Sequence, residues 1–400
     1  AKSKSENFVT KFARYYTPAV VVAALIVAVI PPLILGESFN DWIYRALTFL
    51  VISCPCALVI SIPLAFFGGI GGASRAGILV KGGNYLDALS KVDTVVFDKT
   101  GTLTEGIFTV TAVHPYGMSD DELVYIAAHA EIDSNHPIAE GIRKAYGRAP
   151  GRSEVRVLEE IPGKGVRSIV RGQEVVIGNH SLMSQLSIDY DEPEEFGTAV
   201  HIAVAGKYAG YLIISDRQRK DSRPAVEMLK KMGIKNVCML TGDTGKVGEH
   251  VAEQLGIDIV YSELLPEDKL HIVESLIAEG RSVAFIGDGI NDAPSLARSD
   301  VGIAMGALGS DAAIEAADIV IMDDMPSKAP LAIKIARKTR TIAMENIVFA
   351  LGVKGLFLAL GAFGYITLVE AIFADVGVAV IAILNSIRSL RVPSLRNNTK

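Results

Sequence analysis

Hydrophobic positions in this chain gather into long blocks near both ends and into short runs in the middle. Residues 17 to 35, TPAVVVAALIVAVIPPLIL, carry no charge, and neither do residues 46 to 73, ALTFLVISCPCALVISIPLAFFGGIGGA. Near the other end, NIVFALGVKGLFLALGAFGYITL (346 to 368) holds one lysine and AIFADVGVAVIAILNSI (371 to 387) one aspartate. A helix crossing a bilayer needs about 20 mostly apolar residues, and uncharged runs of that length are seldom buried core. The pattern therefore predicts four membrane helices, at about 17–37, 43–72, 340–364 and 367–390.

Residues 74 to 345 have a different pattern, that of a soluble α/β protein. VDTVVFDKTGTLTEG gives a short apolar strand, Thr94 to Phe97, that delivers Asp98 at its carboxyl end. NVCMLTGD ends in Thr241, Gly242 and Asp243, and SVAFIGDGINDAP in Asp288, Asn291 and Asp292. Helical patterns lie between them. In DSRPAVEMLKKMG, Ser222 is a candidate N-cap, Pro224 sits in the first turn and Gly233 is a stop. Strands alternating with helices predict a doubly wound parallel sheet whose ligands gather at the carboxyl ends of the strands. From roughly Glu105 to Ser215 the runs EVVIGNH and VHIAVAGKYAGYLIIS instead predict antiparallel hairpins, the second turning at Ala205 to Lys207.

Charge orients the membrane blocks. Lys2, Lys4, Lys11 and Arg14 precede the first span, and Arg388, Arg391, Arg396 and Lys400 follow the last. The loop GESFNDWIYR holds only Arg45 as a base. The positive-inside rule then places both termini and the large insert in the cytoplasm, with two helical hairpins in the bilayer. A net charge of −6 argues against nucleic acid as a partner. Three cysteines in that compartment predict no disulfide framework.

The polar clusters share one chemistry. A carboxylate nucleophile, a threonine hydroxyl, further carboxylates to hold Mg²⁺ and a lysine, Lys269 in LPEDK, together suit phosphoryl transfer. Neither GxxxxGK[ST] nor a GxGxxG after a strand is present. In the membrane, Cys54 and Cys56 lie two apart and would face opposite sides of an unbroken helix. Pro55, lacking an N–H, loosens the helix and lets both sulfurs turn one way. Thiolates select soft or borderline cations. Lys354 and Asp375 are the ionisable residues of the last hairpin and fall at similar depth. Two thiolates and one carboxylate exceed a divalent ion by one negative charge, which Lys354 balances. When the ion leaves, Lys354 can pair with Asp375.

DKTGTLT, TGD and GDGINDAP, in this order, resemble the signature motifs of the P-type ATPases, and SCPCALVIS resembles that of their heavy-metal branch. The resemblance spans essentially the whole chain. It implies a multi-domain membrane protein with transmembrane helical hairpins. Its phosphorylation domain would be α/β, haloacid-dehalogenase-like and Rossmann-like, with an inserted α+β nucleotide-binding domain. The implied domains are 1–84 (lead-in and two membrane helices), 85–104 and 215–330 (phosphorylation), 105–214 (nucleotide binding) and 331–400 (last two membrane helices and tail). The segments LTEG and SDRQRKDSRP look like the hinges between the two soluble domains.

The resemblance also implies roles. Asp98, in the motif with Lys99, would take phosphate from ATP, and Asp288 with the Thr100 backbone would complete the Mg²⁺ site. Thr241, beside Gly242 and Asp243, and Lys269 would hold the transferred phosphate, supported by Asn291 and Asp292. HAEIDSNHPIAEGI is similar to the histidine-proline motif of the heavy-metal branch, so Glu131, His136 with Pro137, Gly163 and Gly165 would contact ATP. A lysine in the penultimate helix and DVG in the last look like the zinc/cadmium/lead branch; the tyrosine-asparagine and methionine-serine-serine patterns of the copper branch are missing. Cys54, Cys56 and Asp375 would then bind Zn²⁺, Cd²⁺ or Pb²⁺.

The expected protein is a monomeric, multi-pass exporter in a bacterial inner membrane. The family's TGE loop, its four earlier membrane helices and its amino-terminal metal-binding domain have no counterpart in the sequence, which reads as the carboxy-terminal part of a pump. A Cu⁺ exporter, a membrane-anchored phosphatase without transport and a non-catalytic metal sensor are the competing readings.

Overall fold

Three proline-containing helices and a proline break shape the membrane part. The computed structural model describes residues 4–191, 195–288, 292–306, 311–362 and 365–394. These divide into two units, one of residues 1–95, 228–235 and 270–400, the other of residues 96–227 and 236–269.

The first unit holds four helical segments long and apolar enough to cross a membrane: Tyr16–Leu35, Phe39–Arg75, Lys328–Gly361 and Leu368–Leu390. The first helix runs Lys4–Leu35, so the basic lead-in that precedes the span is helical and continuous with it. The second segment is two helices, Phe39–Ile52 and Cys56–Arg75. Between them Ser53 donates to the Phe49 carbonyl and Cys54 to that of Val51, while Pro55 has no N–H to offer. The third, Lys328–Ala362, is one continuous helix. The fourth, Leu368–Ile387, starts at a reciprocal cap between Thr367 and Glu370. Large apolar side chains such as Leu33 and Phe373 stand outward on these helices, as lipid-facing residues do.

One polar cluster inside the bundle is hydrogen-bonded across helices. Asn346 donates to the Ala382 carbonyl at 3.1 Å and to Ser386 Oγ at 2.9 Å, and Ser386 donates to the Ser61 carbonyl at 2.9 Å. This knot ties three helices together, since an unsatisfied amide in hydrocarbon is costly. The same unit carries strands Ile78–Val80, Ile319–Ile321, Val301–Met305 and Val283–Gly287 in that hydrogen-bonded order. The first pairing is antiparallel and the other two are parallel.

The second unit holds a six-stranded antiparallel sheet. Its order is Thr104–Pro115, Lys207–Gln218, Thr198–Val204, Gln173–Gly178, Gly165–Val170, Val155–Ile161. Helices Asp120–Ala130 and Pro137–Tyr146 pack on it around Leu123, Ala127, Ile142, Ile177, Ile202 and Leu212. The expected hairpin turns through Ala205 and Gly206, both with positive φ, the geometry that matches strand twist. Strands Thr94–Asp98, Asn236–Leu240 and Ile259–Tyr261 follow one another in hydrogen-bonded order, the last pair parallel.

The two suggested hinge segments carry one ladder, in which Thr104 pairs with Gln218, and Arg217 forms an ion pair with Glu105. A paired ribbon satisfies backbone groups that two single loops would leave to water. Ser222 opens its helix, but its hydroxyl donates to the Leu103 carbonyl at 2.7 Å.

Candidate functional site

Strand Thr94–Asp98 is fully buried, with apolar Val95, Val96 and Phe97 leading to the carboxylate at its end. Asp98 is itself only 4% exposed, and the Lys269 ammonium lies 2.6 Å from its Oδ1. Beyond it the chain turns tightly through Thr100 and Gly101, whose φ of 73° suits glycine. Three contacts hold the turn: Arg219 on the Gly101 and Thr104 carbonyls, Ser222 on that of Leu103, and Thr104 Oγ1 on that of Lys99. Thr241 is buried at the end of Asn236–Leu240, and its Oγ1 accepts from the Asp243 amide at 3.1 Å. Gly242 beside it is exposed. Lys99, also buried, forms an ion pair with Asp243.

Asp98, Lys99, Thr241, Asp243 and Lys269 thus belong to the second unit. Asp288, at the end of strand Val283–Gly287, and buried Asp292 belong to the first. Asn291 lies outside the described residues. Asp216 joins the cluster without having been expected there. It accepts from Thr104 Oγ1 and borders the same cavity as Lys99 and Asp243, and burial pushes its carboxyl above the ordinary range. Its signal in the sequence was an aspartate closing the apolar run YLIIS, the pattern that marked Asp98.

Glu131, His136, Gly163 and Gly165 line one cavity of about 270 Å³. His136 caps helix Pro137–Tyr146 through Nδ1, with Pro137 at its first position. Gly165 has φ of 151°, and a Cβ there would lie 2.1 Å from the Ile177 carbonyl oxygen, so only glycine fits. Asn179, missed in the sequence, pins this turn: its side chain donates to the Gly163 carbonyl and its amide to that of Lys164, both at 2.9 Å. Arg143 grips the Glu131 and Ser134 carbonyls. Glu131 is 7% exposed, and its Oε2 has no hydrogen-bond partner among the described residues. Burial, opposed by a Ser134 hydrogen bond, pushes its carboxyl up to about 7. A cavity of this size with one buried unpartnered acceptor has room for a small ligand.

The raised Glu131 value gives a stability prediction. The fold prefers the neutral acid, so stability is full below the ordinary value near 4.5 and is lost as pH rises through about 7. Each pH unit in that window costs about 1.4 kcal/mol, for a total of roughly 3 kcal/mol. Glu131→Gln is expected to raise the thermal midpoint at pH 8 and leave it unchanged at pH 4.5; equal shifts at both pH values would contradict this.

In the membrane unit, the helix break at Pro55 puts both sulfurs on one side, where Cys54 and Cys56 are joined as a disulfide. The expectation of no disulfide framework is corrected at this pair, because the turn at Pro55 brings two residues that flank it face to face. Only the reduced dithiol has thiolates to offer a metal. The Lys354 ammonium donates to the Cys54 carbonyl and to Asp375 Oδ1, the latter at 2.9 Å. Pro55, Lys354 and Asp375 border one small cavity with apolar Leu58, Phe357 and Val378. Among the described residues no three His, Cys, Asp or Glu side chains are grouped as a metal site; Asp375 is engaged by Lys354.

Residues 92–300 match the haloacid dehalogenase-like hydrolase family. Over 98% of its length the chain is 56% identical to the cadmium, zinc and cobalt-transporting ATPase of Bacillus subtilis (strain 168), covering 56% of that protein. The chain thus spans about half the length of the curated relatives it matches. A zinc-transporting PIB-type ATPase solved in the E2.Pi state superposes with a TM-score of 0.82 at 36% identity, over 96% of this chain and 64% of that one. The catalytic domain of the CPx-ATPase CopB-B matches at 30% identity and TM-score 0.55, over 65% of this chain and 97% of that one. A buried aspartate gripped by lysine at a strand end, joined in one chain to a Cys-Pro-Cys helix break, places this chain in the haloacid-dehalogenase-like hydrolases and, among them, in the heavy-metal P-type ATPases.

Proposed function

We propose that this chain is the phosphorylated and ion-binding part of an ATP-driven pump that exports divalent Zn²⁺ and Cd²⁺. The reading rests on one observation above the others. Lys354 touches both Asp375 and the Cys54 carbonyl, so the cysteine helix and the last hairpin share one charged centre. That centre has the charge balance of a divalent site: two thiolates and Asp375 hold the ion, and Lys354 takes Asp375 back when the ion departs. The relatives named for cadmium and zinc agree, and the name of the Bacillus protein adds cobalt to the candidates.

At the other end, Asp98 attacks the terminal phosphorus of ATP and forms an aspartyl phosphate as ADP leaves. Lys269 neutralises the carboxylate beforehand and the phosphoryl oxygens afterwards. Thr241 supplies a buried hydroxyl for those oxygens. Carboxylate and carbonyl oxygens suit Mg²⁺, and Asp98, the Thr100 carbonyl and Asp288 would hold it, with Asn291 and Asp292 in support; the ion supplies charge neutralisation. The base of ATP occupies the Glu131 cavity, with His136, Gly163 and Gly165 around it. The termini and soluble domains lie in the cytoplasm, as the charge bias requires.

Full-length protein in sealed vesicles tests this. ATP-dependent movement of Zn²⁺ or Cd²⁺ is expected, lost on replacing both Cys54 and Cys56 by alanine. Transport of Cu⁺ alone would overturn the reading, and so would ATP hydrolysis indifferent to every metal.

A further inference from the structure

Two cavities of the second unit meet at one residue. Thr198, the first residue of strand Thr198–Val204, lines both the Glu131 cavity of about 270 Å³ and a second of about 340 Å³ bordered by Lys99, Asp216 and Asp243. It is exposed. The chain reaches it through Gly197, φ 151°, where a Cβ would lie 2.5 Å from Ile213 Cγ2 and 3.0 Å from the Ile214 carbonyl oxygen. Only glycine lets the backbone lie this close to the neighbouring strand. Just before it, Phe196 stacks on His250 with centroids 3.9 Å apart and planes 2° apart, on the wall of the second cavity.

The Glu131 cavity has room for a base, and the second cavity leads toward the residue after the nucleophile. A molecule with its base in the first and its terminal phosphate near Asp98 must cross the edge they share. We infer that the triphosphate of the bound nucleotide passes over Thr198, whose hydroxyl donates to a β-phosphate oxygen. This rests on the proposal that the base of ATP lies against Glu131. A neutral hydroxyl suits the position. Lys99, the cation of the second cavity's border, is already engaged by Asp243, and Asp216 there would repel phosphate unless a donor intervened. Thr198 therefore reads the length of the phosphate chain: it contributes to binding ATP and ADP and nothing to binding AMP or adenosine.

The test uses full-length protein and measures the affinities of ATP, ADP, AMP and adenosine. Thr198→Val, which keeps shape and removes the hydroxyl, is expected to weaken ATP and ADP about tenfold, as loss of a hydrogen bond to a charged group does, and to leave AMP and adenosine within about twofold. Thr198→Ser is expected to keep wild-type affinity for all four. Equal weakening of all four by Thr198→Val, or no weakening, overturns the assignment. Glu131→Gln separates the underlying proposal. It should weaken all four together, and unchanged binding would overturn the base assignment while leaving the Thr198 measurement to stand on its own split.

Discussion

Asparagine at position 98 is expected to abolish covalent phosphate in this protein, a fall of at least about a thousandfold in incorporation from ATP. The amide keeps the size and the strand-end position of Asp98 but removes the nucleophilic oxygen anion. It also removes one ion-pair partner of Lys269, which sits 2.6 Å away in a buried setting. Breaking a buried pair costs about 3–5 kcal/mol when one charge is stranded. Lys269 is only partly buried, and water at the site offsets part of that cost, so the variant should fold and still bind nucleotide. Acid-stable, hydroxylamine-sensitive phosphate in the Asp98→Asn protein would show that another residue is the acceptor.

Lys354→Met is the second large effect. The methionine keeps the stem but leaves Asp375 and the Cys54 carbonyl without their common donor. Metal-stimulated turnover is expected to fall at least about tenfold, and the protein to lose stability on the scale of a broken buried pair, about 3–5 kcal/mol. The double variant Lys354→Met with Asp375→Asn separates the two losses. It removes the stranded charge, so stability should return while turnover stays low. If the double variant regained turnover as well, the pair would be a lock between two helices and not part of the ion site.

Much of this was legible because the decisive residues sit where local pattern is strongest. An apolar run that closes in Asp, at the strand's last residue in Asp98 and three residues past Leu240 in Asp243, marks a strand's carboxyl end, and long uncharged runs mark the spans. Pro55 announced the helix break, though not that the turned sulfurs would meet as a disulfide. What stayed hidden depends on partners distant in sequence. The pairing of Thr104 with Gln218 turns two apparent hinges into a ribbon, and it is this ribbon that brings Asp216 to Thr104 and to the Lys99 cavity. Asn179 borders the Glu131 cavity only because the strand before it, Gln173–Gly178, lies beside the Gly163 turn. Ser222 looked like a cap, and its hydroxyl is taken by the Leu103 carbonyl in the turn after Asp98.

The most direct measurement is incorporation of labelled phosphate from ATP into the full-length protein as the metal in solution is varied under reducing conditions. Zn²⁺ or Cd²⁺ should control the amount of hydroxylamine-sensitive phosphate at Asp98, and Cys54→Ala with Cys56→Ala should abolish that control without preventing nucleotide binding. Phosphate that is indifferent to both divalent metals, or that answers to Cu⁺ alone, would contradict a divalent pump in which the Cys54–Lys354–Asp375 centre governs the chemistry at Asp98.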